Sequence, residues 1–298
     1  MSDTYGELRN RQEGTGDVSS LLKNIYRCAD KSSWYDFVAS AYDRTRPRYP
    51  AEILSPMQEI ADFQPGKSVL EIGAGVGIAT VELARFGANI VCVEPSQAAC
   101  AITRDKCAAY GNVEVITSTF EDWQLPESKF DLVVAATSFH WVTPEIRYAK
   151  TAKALKDQGL LVLLWNTPPQ PNFEIHQSCQ TIYQTYAPEL MKYESHQDHQ
   201  QNIGKIAQSA IASGYFQDLV THQTIATVNY TVEEYLTLLS TLSPYIQLAK
   251  SARDQCKVLF AELEQELRRS LNQQNQLELS YLSMVQIARK TARKTHKS

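Results

Sequence analysis

Glycine is scarce in this chain, with 12 among 298 residues, against a usual share of about 7%. Scarcity makes placement informative: Gly73, Gly75 and Gly77 fall within five residues of one another. Long apolar runs are also missing. No stretch reaches the roughly 18 residues that a membrane-crossing helix needs, so no membrane span is expected. The first 30 residues are polar and mixed in charge and hold no apolar leader, which argues against export. The six cysteines (Cys28, Cys92, Cys100, Cys107, Cys179, Cys256) form no C-x-x-C pair. Zinc ribbons, thioredoxin-type redox chemistry and iron–sulfur motifs therefore lack support. With Cys92 inside an apolar run, the thiols are expected to be reduced and the chain cytoplasmic. Basic charge is not in excess: 29 Lys and Arg face 33 Asp and Glu, a net charge of -4. That balance argues against a nucleic-acid partner, which draws on clustered Lys and Arg.

The length suits about two domains, or one domain with large insertions. Residues 1–31 read as a flexible tail with one short amphipathic turn near Leu21–Ile25. From Trp34, apolar residues at three- and four-residue steps predict a helix (Trp34, Phe37, Val38, Ala41, Tyr42). Arg46-Pro47-Arg48-Tyr49-Pro50 is an extended break, because proline disfavours helix in the residue before it. Ala51–Phe63 reads as a helix that stops at Pro65-Gly66. An alternating series follows. Strands are expected at Ser68–Ile72, Asn89–Val93, Val113–Ile116, Phe130–Ala136 and Leu160–Trp165. Helices are expected at Val76–Phe86, Ser96–Tyr110 (Ser96 as N-cap) and Glu145–Leu155. Near-continuous apolar strands between helices mean a parallel sheet covered on both faces.

The second half is less regular. Helices are expected at Phe173–Tyr186, Gln200–Ala212 (ended by Gly214), Thr231–Ser240 (opened by a capping-box T-V-E-E) and Arg253–Leu271. Phe216–Val228 and Leu277–Ala288 read as strands. The basic ending ARKTARKTHKS reads as a solvated tail.

The glycine cluster lies in VLEIGAGVGIATVELA, where a strand runs into a turn and a helix follows at once. Glycine there permits a tight turn and close backbone approach to a ligand, and the helix start presents free N–H groups. A dinucleotide turn needs G-x-G-x-x-G, and the sixth position here is Ile78. The third glycine comes one residue early, at Gly77, so an NAD-dependent oxidoreductase is the weaker alternative. Two acids flank the turn. Glu71 precedes the first glycine by two residues, and Glu94 ends the next strand in VCVEPS. A carboxylate at that strand end can accept both hydroxyls of a ribose, and it suits a cationic ligand while repelling phosphate.

The combination [DE]-x-G-x-G-x-G, then an apolar strand ending in Glu, resembles class I S-adenosylmethionine (SAM)-dependent methyltransferases. Thr119-Phe120-Glu121-Asp122-Trp123 and Phe130-Asp131-Leu132-Val133 resemble that family's next segments. Phe139-His140-Trp141-Val142 and Arg44-Thr45-Arg46-Pro47 are similar to its small-molecule subgroup, such as trans-aconitate methyltransferase. The likeness covers about residues 34–166. It implies a Rossmann-like, doubly wound, mostly parallel α/β sheet of seven strands, the last one antiparallel, with helical lid insertions. Residues 32–166 would be the cofactor-binding core, and residues 167–298 the substrate cap plus the final strands.

The resemblance also implies roles. Glu71 would lie near the amino-acid end of SAM, and Gly73, Ala74, Gly75 and Gly77 would form the turn. Glu94, followed by Pro95, would hold the ribose. Thr119 and Phe120 would meet the adenine, Thr137 would stand at the mouth of strand four, and Tyr42 would cover the cofactor. The family often has Asp at the position of Thr119, and a hydroxyl accepts a hydrogen bond more weakly than a carboxylate. His140 is the candidate base, with an orienting or packing role as the alternative. Trp141 is the candidate pocket wall. Arg46 and Arg48 could clamp a substrate carboxylate in a forked hydrogen bond, or serve structurally beside two prolines. His196 and His199 share a helix spacing but lack a third ligand in register, so no metal is expected. Asn166-Thr167-Pro168-Pro169 only faintly resembles the [DNS]-P-P-[YFW] run of adenine methyltransferases and follows the wrong strand.

The expected function is SAM-dependent methylation of a small molecule, with a carboxylate or a hydroxyl as the alternatives for the acceptor group. A non-catalytic SAM-binding module is the second hypothesis, because the cofactor half is better defined than the acceptor half.

Overall fold

The computed structural model describes residues 34–292. The expected tail at 1–31, its turn near Leu21–Ile25, and the last residues of the basic ending lie outside them. Seven strands form one sheet: β1 (Ser68–Ile72), β2 (Asn89–Glu94), β3 (Val113–Thr117), β4 (Phe130–Ala136), β5 (Leu155–Asn166), β6 (Phe216–Tyr230) and β7 (Leu277–Lys290). Their order is β3-β2-β1-β4-β5-β7-β6. β1 through β5 pair in parallel. β7 runs antiparallel to both β5 and β6, so it alone opposes the rest. The strand order reverses between β1 and β4, and a crevice opens there at the carboxyl ends of the strands.

Eleven α-helices are described: α1 (Trp34–Thr45), α2 (Ala51–Ile60), α3 (Ile78–Arg85), α4 (Gln97–Cys107), α5 (Pro144–Ala154), α6 (Phe173–Ser178), α7 (Gln180–Tyr186), α8 (His196–Ala212), α9 (Val232–Ser240), α10 (Ser243–Ser251) and α11 (Arg253–Leu267). On one face of the sheet, Ile53 and Met57 of α2 and Leu83 of α3 pack on Val69, Val134 and Val285. On the other, Ala152 of α5 and Ala207 and Ala210 of α8 pack near Leu70, Val133, Leu163 and Met284. A separate apolar cluster forms around α7, α9, α10 and α11 with Leu277 and Leu279 of β7. Its 15-residue helix α11 buries Cys256, Leu259, Phe260, Leu263 and Leu267, the stripe that the sequence shows.

Local signals act as written. Ser96 caps α4 by accepting from Ala99 N. Thr231 and Glu234 close a capping box on α9. The differences are instructive. The helix expected to start at Gln200 begins at His196, because Ser195 and Asp198 form a second capping box ahead of it. The helix expected over Phe173–Tyr186 breaks at Cys179 into α6 and α7. β5 begins at Leu155 rather than Leu160. Phe130 pairs with Leu155 before a bulge restores regular pairing from Leu132–Leu160 onward. α10 has no counterpart in the sequence reading; the one local signal is Pro244 in its first turn.

Candidate functional site

The carboxyl ends of β1, β2 and β4, α1 with the following strap Arg46–Pro50, and α10 enclose a cleft of about 490 Å³. Its floor is the glycine turn. All three glycines have positive φ: +66° at Gly73, +56° at Gly75 and +77° at Gly77. Their surroundings differ. A Cβ at Gly73 would lie 2.6 Å from Ser138 Cβ, and one at Gly77 would lie 3.0 Å from Thr103. At Gly75 it would meet nothing within 4 Å. Gly73 therefore lets β4 close onto the turn, Gly77 lets α4 close, and Gly75 leaves the wall open to a ligand.

Glu94 ends β2 at the cleft. Its Oε2 accepts from Gly75 N (2.9 Å) and its Oε1 from Ser96 N (2.9 Å). An ionised carboxylate has about four acceptor positions, so capacity remains for two further donors. Burial pushes its pKa up, and the two backbone N–H groups work against that push.

Glu71 is elsewhere. It is fully buried beneath the turn, outside the cleft wall. Its Oε2 accepts from Thr80 Oγ1 (2.7 Å) and lies 3.6 Å from Cys92 Sγ. Its Oε1 has no partner. Burial raises its pKa to about 7.

Beyond β3, Thr119 and Phe120 line the cleft together with Glu121 and Asp122. Thr119 Oγ1 donates to Asp122 Oδ2 (2.7 Å) and accepts from Asp122 N (3.1 Å). The carboxylate missing at Thr119 thus stands beside it, three residues later. Phe120 is buried, with the Lys150 ammonium 5.1 Å from its ring centre.

The opposite wall is assembled from distant segments. Thr137 takes φ +55° as β4 ends, and its Oγ1 meets the Tyr49 hydroxyl at 3.1 Å. Burial holds the Tyr49 phenol protonated, well above its ordinary pKa. Tyr42, Arg46, Pro95, Trp141, Asn166, Ser243, Ile246 and Gln247 also line the cleft. The Arg46 guanidinium lies 4.8 Å from the Tyr42 ring centre.

Four residues singled out in the sequence are not in the cleft wall: Glu71, Gly77, Arg48 and His140. Arg48 is drawn outward to Asp43 (2.9 Å). His140 sits on the short 3-10 turn Phe139–Trp141, 5.0 Å from the Trp141 ring and 5.7 Å from the Trp165 ring. It keeps one side in solvent. Desolvation by its neighbours, then the Arg147 charge, lowers its pKa, so the imidazole is neutral at pH 7. His196 and His199 turn to separate partners, Ser280 and Glu194. Among the described residues no group of three or more His, Cys, Asp or Glu side chains is placed to hold a metal ion, and no helix is long and apolar enough to cross a membrane.

Tyr49, Asp122, Asn166 and the α10 residues were missed in the sequence. Tyr49, Asp122 and Asn166 lie inside stretches already noted; α10 reaches the cleft only through the fold.

Residues 69–159 match a family described as a methyltransferase domain. A methyltransferase of Mycobacterium bovis, itself uncharacterised, is 32% identical over 138 residues, 46% of this chain and 54% of that protein. The chain thus spans about half the length of the curated relatives it matches. Among solved structures, a proposed type II methyltransferase from Anaeromyxobacter dehalogenans aligns with TM-score 0.57 at 18% identity, over 82% of this chain and 97% of that one. Phosphoethanolamine N-methyltransferase 2 of Haemonchus contortus, with S-adenosylhomocysteine bound, aligns with TM-score 0.50 at 15% identity, over 90% of this chain and 60% of that one.

Proposed function

From the class I SAM-dependent methyltransferase core that this chain carries, we propose that the chain transfers the sulfonium methyl group of SAM to a small organic acceptor bound in the same cleft. The observation that carries this reading is the pairing of Glu94 with Gly75. The carboxylate keeps two acceptor positions free beside a glycine whose outer side is open. A ribose diol fits the first and the cofactor's chain the second, whereas a dinucleotide turn would need a glycine where Ile78 stands.

The roles follow from placement. Glu94 holds the ribose hydroxyls. Phe120 brackets the adenine, and Asp122, steadied by Thr119, accepts from its amino group. Gly73, Ala74 and Gly75 form the floor under the methionine end, and Tyr42 covers it. Glu71 supports the turn from below through Thr80 rather than touching the ligand. SAM supplies an activated methyl on a sulfonium; the chain's own contribution is alignment of the two reactants in the cleft. The acceptor stands against Tyr49, Thr137, Trp141 and α10. In this reading residues 167–298 supply the cap of the acceptor half and the last two strands. His140 braces Trp141 from outside the cleft, so orientation suits it better than proton abstraction.

The size of the cleft supports a small acceptor. Calorimetry with SAM, followed by transfer of a radiolabelled methyl group into a metabolite extract, tests both parts. Tight binding with persistent absence of transfer would favour a non-catalytic SAM-binding module. Absence of SAM binding would end the reading.

A further inference from the structure

The strap after α1 is tied down on both sides of one residue. Tyr230 on β6 donates its hydroxyl to Thr45 O. Asn166, at the end of β5, donates its Nδ2 to Pro47 O (3.1 Å) and Arg48 O (3.3 Å). The Tyr281 hydroxyl on β7 donates to Arg48 O (3.4 Å), and Tyr49 meets Thr137 after β4. The Asn166 amide is itself oriented, because the fully buried Ser283 donates to its Oδ1 at 2.6 Å. Residues 45, 47, 48 and 49 are thus fixed to the sheet, while Arg46 between them lines the cleft with its buried Nε lacking a partner.

Arg46 is the one Lys or Arg among the described residues that line the cleft. The three carboxylates of the wall, Glu94, Glu121 and Asp122, all belong to the half over β2 and β3. Glu121 is already engaged by the Thr143 backbone N–H (2.8 Å) and hydroxyl (2.9 Å). SAM itself carries one carboxylate at the end of its methionine chain. A carboxylate withdrawn from water needs a charged or multiply donating partner, and this cleft offers one cation.

Building on the SAM reading, we propose that Arg46, set in place by Asn166, holds the carboxylate of the cofactor, and that the acceptor half therefore recognises a molecule without an anionic group. With Arg46 so committed, an acceptor carboxylate would face Tyr49, Trp141 and Ile246 without a counter-charge. Ser243 and Gln247 offer only neutral hydrogen bonds. A hydroxyl or an amine on a flat apolar body suits those walls. This reverses the expectation that Arg46 and Arg48 clamp a substrate acid; Arg48 is bound to Asp43 instead.

The test compares two ligands of the full chain by calorimetry: S-adenosylhomocysteine, and its decarboxylated analogue, which lacks only the carboxylate. The native chain should prefer the former by about tenfold or more. Arg46→Met should erase that preference without changing affinity for the analogue. Asn166→Ala should reduce it, and the Arg46→Met/Asn166→Ala double variant should lose no more than Arg46→Met alone, since one residue acts through the other. Ser283→Ala, a smaller change, should give a partial loss if Asn166→Ala folds poorly. A preference that survives Arg46→Met overturns the assignment. Failure of both ligands to bind the native chain would instead sink the SAM reading. For the acceptor half, the chain saturated with S-adenosylhomocysteine is challenged with 4-butylphenol and 4-butylbenzoate in thermal-shift titrations. Tighter binding of the phenol supports an acceptor without an anionic group; equal or tighter binding of the benzoate overturns it.

Discussion

Over β1, β2 and β3, the cleft wall comes from strand ends and the turns that follow them: residues 72–76, 93–95 and 119–122. Over β4 and β5 it comes from Tyr42, the strap, Thr137, Trp141, Asn166 and α10, separated by as much as 205 positions between residues 42 and 247. The first half is local, charged and built on backbone geometry. The second is long-range, aromatic and nearly free of charge. A half built from local turns is specified by short stretches of sequence, whereas a half gathered from distant segments depends on how they pack.

The sharpest way to break this contrast is Glu94→Ala. Losing two charge-assisted hydrogen bonds should weaken SAM binding by about 100-fold, or about 3 kcal/mol, by calorimetry. Trp141→Ala on the other side should leave SAM affinity within about threefold. Equal losses from both would show that Trp141, like Arg46 of the strap, serves the cofactor.

The glycines sharpen the comparison within the first half. Gly73→Ala would force its Cβ against Ser138 and should cost about 2–3 kcal/mol of stability in chemical denaturation. Gly75→Ala carries only the backbone strain of its +56° φ, about 1–2 kcal/mol. It should cost disproportionately in SAM affinity, about tenfold, because the methyl enters the cleft.

Glu71 separates support from contact. Its pKa rises from 4.5 to about 7 on folding. The folded chain therefore keeps a proton that the unfolded chain releases. The stability this gives is complete below pH 4.5 and is lost as pH rises through 7, up to about 3 kcal/mol in all. Glu71→Gln cannot titrate, so the fall in melting temperature between pH 5 and pH 8 should shrink in that variant. An unchanged slope would mean that the proton is held elsewhere.

His140→Ala should leave SAM affinity unchanged and lower methyl transfer by less than about tenfold, where loss of a general base would cost about 100-fold or more. Arg48→Ala should have the smallest effect. Its exposed bond to Asp43 is worth about 1 kcal/mol or less by denaturation.

Most of the core was legible because its cues are local. Apolar strand runs, Ser96, the Thr231 capping box and the glycine turn each act within a few residues. The α11 stripe was legible for the same reason. Ser195 and Asp198 carried a capping signal ahead of Gln200 that went unread. The start of β5 was illegible, because pairing with Phe130 across a bulge extends the strand where the local pattern favours a turn. The placements of Arg48 and His140 show the limit most clearly. Both stand in motifs that suggest contact with a ligand, yet an ion pair draws one outward and two indole rings hold the other beside the cleft.

The sequence by itself determined the strand–turn–helix at Gly73–Gly77, the acid at Glu94 and the alternation that builds a parallel sheet. Each is written in backbone freedom or apolar periodicity over a short span. The tertiary structure alone decided that Arg46 rather than Arg48 would be the cleft's cation, that Asn166 would fasten the strap around it, and that α10 would close the side of the cleft over β4 and β5. Those outcomes depend on hydrogen bonds and packing between segments over a hundred residues apart. Such contacts come into existence only when the sheet brings the carboxyl ends of its strands together.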